Sequence, residues 1–310
     1  MNRSLHSPIE ELMIRKLGKI CERFSTARHK DKILMKLLKE ALIPEVHVLL
    51  RQNGMGFPPF DPFKISCIKD AQIRVIYLPK EEIGADGSIE TCENGFIIKI
   101  DKNLRDRSNQ VYRLRTTMAH ELMHTFFYDV LKPIPNKIGF RHPQKEEFWM
   151  EEELCGYLTR EFLVPIFSLN ELILKKADLL FPSIPNIEFL KSIFVISSDV
   201  IAYRMIKDVS LWNAIFIKFV RGGQIYKAKT RLKYKSNKIF DVLRLPDYVP
   251  LKTSDIWLNK LSNLCMSASR DKEVKDTVNF KGVQLTMESK IETKNPVSII
   301  TIISEAKNGN

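Results

Sequence analysis

The 310-residue sequence contains no C-x-x-C pair, and its five cysteines (Cys21, Cys67, Cys92, Cys155 and Cys265) are scattered and odd in number. That spacing argues against a cysteine zinc site and a disulfide framework, and it fits a reducing compartment. The N-terminus lacks the apolar core of a secretory signal, because charges recur from Glu10 to Lys19. No uncharged apolar run is long enough to cross a bilayer, so a soluble cytoplasmic chain with no membrane partner is expected. Internal repeats and low-complexity tracts are absent as well. Acidic residues are the scarcer charge, 37 against 49 basic ones, for a formal net charge of +12. Such an excess favours acidic partners but does not bear on fold.

What is present is ordinary globular material, 44% hydrophobic and 28% charged, in a length that allows two or three modules with their own cores. Ser7, Pro8 and Glu10 read as a helix start, with cap, first-turn proline and capping box. A second helix is expected from Asp31 to Leu42, stopping near Pro44. Gln72 to Leu78 and Gly95 to Ile100 read as strands, with a glycine-containing loop from Gly84 to Gly87 between them. Helices follow from about Tyr112 to Tyr128 and from about Glu147 to Leu163, the second meeting Pro165. Shorter helices are expected near Asn170 to Leu180, Ile187 to Ile193 and Asp199 to Lys207. Strands are then expected at Asn213 to Val220, Gln224 to Tyr234, Gly282 to Met287 and Val297 to Ser304.

The chemistry is concentrated in His120-Glu-Leu-Met-His124. Residues four apart share one face of a helix, so both imidazoles can reach a single metal ion. Glu121 is placed to act as general base on a water at that ion. Zinc suits the task, because it leaves a coordination position open, acidifies water and polarises a carbonyl; manganese is the other ion considered. The motif lies in an apolar segment, among Met118, Ala119, Leu122, Met123, Phe126 and Phe127, where imidazoles need partners. The metzincin extension needs glycine and histidine where this chain has Phe127 and Val130, which excludes that class.

A third ligand is expected from the helix that follows. Glu153 falls on its polar face with Tyr157 and Arg160. Glu151 and Glu152 fall near the apolar stripe of Phe148, Cys155, Thr159 and Phe162, and a carboxylate facing a core calls for a partner. Periodicity alone does not choose between these two. Cys155 and Gly156 are small, so this helix can pack close to the motif helix. Tyr128, one turn beyond His124, and His142, in the loop before the glutamate helix, are candidates for stabilising the transition state at the carbonyl. His6, His29 and His47 show no ligand spacing and read as structural or surface residues.

Arg115-Thr-Thr-Met-Ala-His-Glu-Leu-Met-His124, followed by Glu152-Glu-Leu-Cys-Gly-Tyr-Leu-Thr-Arg-Glu-Phe-Leu-Val-Pro165, resembles the ImmA/IrrE metallopeptidases. The resemblance runs over roughly residues 60 to 208, more weakly through Phe189 to Ser197 and on to Arg204. It implies that the third zinc ligand is Glu152, the glutamate thirteen positions before Pro165. It also implies limited, site-specific cleavage of a protein partner, a helix-turn-helix repressor, in stress or mobile-element regulation. Met123 stands where that family often has glycine, and Leu154-Cys155 replaces its common Glu-Ala pair; neither position is a ligand.

Two features favour a rival reading, a DNA- or protein-binding regulator with a structural metal site. Lys227, Lys229, Arg231, Lys233 and Lys235 alternate along an expected strand, so all five should share one face and meet an acidic partner. The plainer reading is an edge strand kept soluble by cations. Residues 187 to 207 loosely resemble a helix-turn-helix with a turn at Val195 to Ser197, offering Arg204 and Lys207 to DNA; direct nucleic-acid binding remains the less favoured reading. The fold expected is α+β: an N-terminal helical segment (1–60), a zincin-like helical peptidase core with a small sheet (61–168), a helical linker (169–210) and a β-rich C-terminal α+β module that senses a signal or positions the partner (211–310).

Overall fold

A computed structural model describes residues 16, 30–128, 145–222, 225–233, 240, 243, 247–250, 256–271, 273–280, 282–294 and 297–306. The helix start at Ser7, together with His6, His29, His142 and Lys235, lies outside the described residues. The architecture is mixed α+β, and contacts divide the chain into two compact units, Met1–Ser168 and Leu169–Asn310. Among the described residues no helix is long and apolar enough to cross a membrane, and Cys67, Cys92, Cys155 and Cys265 form no disulfide.

In the first unit, helix α1 (Lys30–Gln52) runs straight through Pro44, where a stop was expected. An internal proline costs about 3 kcal/mol through a lost hydrogen bond and a ring clash. Two features offset this. Leu38, Leu42, Val46, Leu49 and Leu50 recur at helical spacing and are all buried, so ending the helix would expose half of that face. Glu40 and Pro44 both face solvent, so water can reach the carbonyl that proline leaves unbonded.

Strand β1 (Cys67–Ile68) turns through Lys69 and Asp70, both with positive φ, into β2 (Ala71–Leu78). A short helix α2 (Lys80–Ile83) leads to β3 (Gly87–Cys92), β4 (Gly95–Asp101) and the short helix α3 (Lys102–Asp106). The sheet order is β1-β2-β4-β3: β2 and β4 pair in parallel, and the other pairs are antiparallel. Helix α4 (Val111–His124) packs on β3 and β4, whose Ile89, Phe96, Ile98 and Ile100 are buried. Arg115 anchors it. Its guanidinium is buried and donates to the Phe60 carbonyl at 2.7 Å.

Helix α5 (Lys145–Leu163) packs against both α4 and α1. Lys39 of α1 meets Glu153 at 2.7 Å, and His47 meets the buried Glu161 at 2.6 Å. Glu161 also accepts from the backbone N–H of Ile166 at 3.0 Å, satisfying an orphan donor at the start of α6 (Ile166–Lys175).

The second unit is built on an antiparallel sheet in the order β7-β6-β5-β10-β9-β8. Ahead of it come helices α7 (Ile184–Phe194) and α8 (Ser198–Tyr203). The strands are β5 (Ala214–Gly222), β6 (Ile225–Lys233), β7 (Tyr248–Pro250), β8 (Glu273–Phe280), β9 (Val283–Lys294) and β10 (Val297–Glu305), with helix α9 (Ile256–Asp271) between β7 and β8. Leu261, Leu264, Cys265 and Ala268 of α9 are spaced as one helical face, and they bury against Ile215, Ile217, Phe219, Met287, Ile299 and Ile303.

The helices of residues 169–210, expected as a linker, belong to this unit and lie on the opposite face of the sheet. Glu288 there accepts from the Ile184 N–H at 2.8 Å, and Lys218 pairs with Asp199 of α8 at 2.8 Å and with Glu292 at 2.7 Å. Arg204, offered above to DNA, is 1% exposed. A guanidinium inside the fold cannot reach a base edge, so the expected reading helix lacks its main contact.

The basic alternation on β6 also departs from expectation. A register shift between the pairs Phe219↔Ala228 and Lys218↔Thr230 inserts an extra residue. Lys227 pairs with Val220, on the face away from Phe219, whereas Arg231 pairs with Ile217, on the α9 face. A one-residue slip reverses the faces of everything after it, so these cations do not share one side. Arg231 is further engaged in an ion pair with Asp247.

Burial alone would raise the Glu292 carboxyl, but the Lys218 ammonium, with help from the Ser198 hydroxyl and Lys191, outweighs it and holds the group below its ordinary range. A depressed carboxyl stabilises the fold above the unfolded-state value and loses that contribution as pH falls through the folded one. Urea unfolding of the full chain should therefore weaken on acidification through and below the carboxylate range, with a shallower slope in Glu292→Gln. Lys218→Met, which strands two carboxylates, should cost on the order of 3 kcal/mol at neutral pH.

Candidate metal centre

The 3.6-residue repeat of α4 puts His120 and His124 one turn apart on one face, and that face meets α5. His124 is fully buried, while His120 keeps about a quarter of its side chain exposed. Their Nε2 atoms stand 3.3 Å apart. From α5, Glu152 reaches both: Oε2 lies 3.0 Å from His120 Nε2, and Oε1 lies 3.5 Å from His124 Nε2. Four-coordinate zinc with bonds of about 2.0–2.1 Å places neighbouring donors roughly 3.3–3.5 Å apart. The spacing found here is close to that, so the three side chains fit such an ion. Ligating atoms of all three lie within 4.8 Å of one another.

Consecutive residues on a helix point about 100° apart, and the two glutamates left open above take different places accordingly. Glu152 faces the imidazole pair. Glu151, also buried, accepts from His124 Nδ1 at 2.6 Å. A carboxylate accepts across this bond and Nδ1–H donates, so a neutral imidazole here carries its proton on Nδ1 and presents the Nε2 lone pair towards His120 and Glu152. The Tyr128 hydroxyl donates to the same carboxylate, 3.0 Å from Oε1 and 3.2 Å from Oε2. Burial raises the Tyr128 pKa, and the negative charge of Glu151 raises it further, so the phenol keeps its proton and remains a donor. Glu151 thus gathers two donors, and a carboxylate so placed orients a metal-binding imidazole and increases its basicity. This arrangement was not read from the sequence. Its one signal was a second carboxylate beside the apolar stripe.

Glu121 follows His120 in the chain and is 5% exposed. It lies on the side of α4 that meets β3, where Gly87 approaches its side chain. Glu153 points away, more than half exposed and paired with Lys39, as its position on the polar face suggested. Cys155 is buried, but Gly156 is not what lets the two helices approach. A Cβ there would meet nothing nearer than its own helix's Arg160 at 3.4 Å. Lys227, Lys229 and Arg231 belong to the other unit.

No family model matches the chain, and no curated protein matches it. Among solved structures it is similar to a Mycobacterium tuberculosis transcriptional regulator, at 10% identity and a TM-score of 0.49, over 96% of this chain and 94% of that one. So slight a likeness carries no argument about function.

The geometry predicts a graded loss of zinc, measurable by competition with a chromophoric chelator. Glu152→Ala should lose the ion almost entirely. Glu151→Ala should weaken binding by about 10–100-fold through misoriented His124. Glu153→Ala should match the wild type. Equal retention in the Glu152 and Glu153 variants would reject the ligand assignment.

Proposed function

We propose that the chain is a zinc-dependent endopeptidase, with His120, His124 and Glu152 as the ligands of the ion and Glu121 as the general base. The observation that carries the reading is the convergence of two imidazole nitrogens from one helical turn and a carboxylate from the next long helix. The group comprises three donors among the described residues. Structural zinc sites close with four protein ligands, whereas catalytic ones keep three and an open position.

When bound, zinc acidifies water and polarises the scissile carbonyl. Glu121 takes the proton of the attacking water and delivers it to the leaving amine, so that one carboxylate serves both halves of the hydrolysis. Glu151 fixes the tautomer of His124, and Tyr128 steadies Glu151. A part for Tyr128 in polarising the carbonyl requires that its hydroxyl give up this bond.

The resemblance to the ImmA/IrrE metallopeptidases extends the proposal to limited cleavage of a helix-turn-helix repressor, with the second unit sensing a signal or positioning the partner. Cysteines without a disulfide among the described residues suit a cytoplasmic site of action. Two observations weigh against the regulator reading: Arg204 is buried, and Lys227 and Arg231 lie on opposite faces of the sheet.

The test is Glu121→Gln, which keeps the shape and leaves the ligands in place. Zinc-loaded wild type should cut a repressor-like product of an adjacent gene, or members of a peptide library made from a digested proteome, at sites read by mass spectrometry. The variant should bind zinc normally and cut slower by about 10²–10⁴-fold. Chelation should silence the wild type, and added zinc should restore it. Undiminished cleavage by the variant would overturn the mechanism.

A further inference from the structure

Arg113, Thr117 and Glu121 are spaced by four residues and form a row along one side of α4. The start of β3 is applied to this row. Asp86 forms an ion pair with Arg113 and accepts from Lys80 Nζ at 2.9 Å, while its backbone carbonyl accepts from the Asp101 N–H at 2.9 Å. The next residue, Gly87, lies directly against the other two members of the row. A Cβ at that position would stand 2.6 Å from Thr117 Cγ2, 3.1 Å from Glu121 Cγ and 3.3 Å from Glu121 Oε1. The first of these distances is one that real side chains essentially never adopt. Gly87 is not among the residues with positive φ, so backbone conformation does not require glycine here. The close approach to α4 does.

We infer that Asp86–Gly87 is a positioning element for Glu121: the ion pair draws the strand onto the helix, and the missing side chain lets backbone lie against the carboxylate and limit where it can swing. The inference rests on the endopeptidase reading and adds to it the part of the chain that aims the base. Glu121 has its own helix on one flank and β3 on the other. A methyl group at position 87 must displace the Thr117 methyl or the strand, and it presses on the Glu121 side chain beside them. A general base has to remain within hydrogen-bond reach of the proton it takes, and a displacement of about 1 Å can cost about 10² in rate. The zinc ligands point to α5 instead, so they should not register the change.

The experiment uses the zinc-loaded full chain as wild type, Gly87→Ala, Gly87→Ala with Thr117→Ser, and Glu121→Gln, acting on the same peptide library, with zinc affinity measured by chelator competition. Gly87→Ala should cut the same sites with KM and zinc affinity within about twofold of wild type and kcat lower by about 10–100-fold. Thr117→Ser deletes the methyl that the new Cβ meets first, and it should bring kcat back to within about threefold of wild type. If Gly87→Ala does not fold, Asp86→Asn takes its place, with the same loss of kcat at unchanged KM and zinc affinity. Wild-type kcat in the glycine variant, or a loss of zinc in step with the loss of activity, overturns the inference. Cleavage by wild type no faster than by Glu121→Gln overturns the endopeptidase reading and the inference with it.

Discussion

One buried carboxylate outside the three-residue group holds the candidate centre together. Glu151 accepts from His124 Nδ1 and from Tyr128, and this sets which imidazole nitrogen carries the proton. Were the tautomer reversed, His124 would present N–H rather than a lone pair towards Glu152 and His120, and three converging donors would become an incompatible set. The bond spans two helices, so it also fixes how α5 is rotated against α4, and with it whether Glu151 or Glu152 faces the imidazole pair. Local chemistry and tertiary packing are therefore a single constraint. The apolar residues around the motif, from Met118 to Met123 on α4 and Leu154 to Phe162 on α5, remove the water that would otherwise compete for these hydrogen bonds.

The second unit follows a different rule on each face of its sheet. Towards α9 the contact is apolar, and a buried Ser289–Thr301 hydroxyl pair satisfies itself. Towards α7 and α8 the contact is partly ionic, with Lys218 between two carboxylates and Glu288 at a helix start. An apolar layer tolerates small slides, whereas a buried ammonium with two specific partners does not. The ionic face should hold register, and the apolar face should supply most of the burial.

Much of this was legible in the sequence, for identifiable reasons. The motif helix and the glutamate helix declared themselves by 3.6-residue periodicity, and β2, β4, β5 and β10 by their β-branched runs. What escaped depended on partners remote in the chain. Pro44 reads locally as a stop, and only the buried stripe from Leu38 to Leu50 shows why α1 continues. Strand β3, Gly-Ser-Ile-Glu-Thr-Cys, has one buried apolar residue and no clear alternation. Helix α9 carries its apolar spacing among serines and asparagines that depress helix propensity, and its stability comes from the sheet beneath it. Periodicity narrowed the glutamate choice to two and could go no further. Resemblance selected Glu152, and the rotation of α5 places Glu151 behind His124. The close approach at Gly87 has no local signature at all, since a glycine after Ala-Asp reads as a loop.

The bulge on β6 has a consequence for the electric field around the molecule. Cations in line on one side of a strand would act as a short charged rod, whose potential an anionic polymer could follow over several ångströms. With Lys227 on one face and Arg231 on the other, that rod is broken, and the sheet lies between the two cations. At physiological ionic strength screening is effective beyond about 8 Å, so each of the two cations acts mainly on its own side of the sheet. A single extra residue thus leaves the net charge of the strand untouched while turning Lys227 and Arg231 to opposite faces of the sheet.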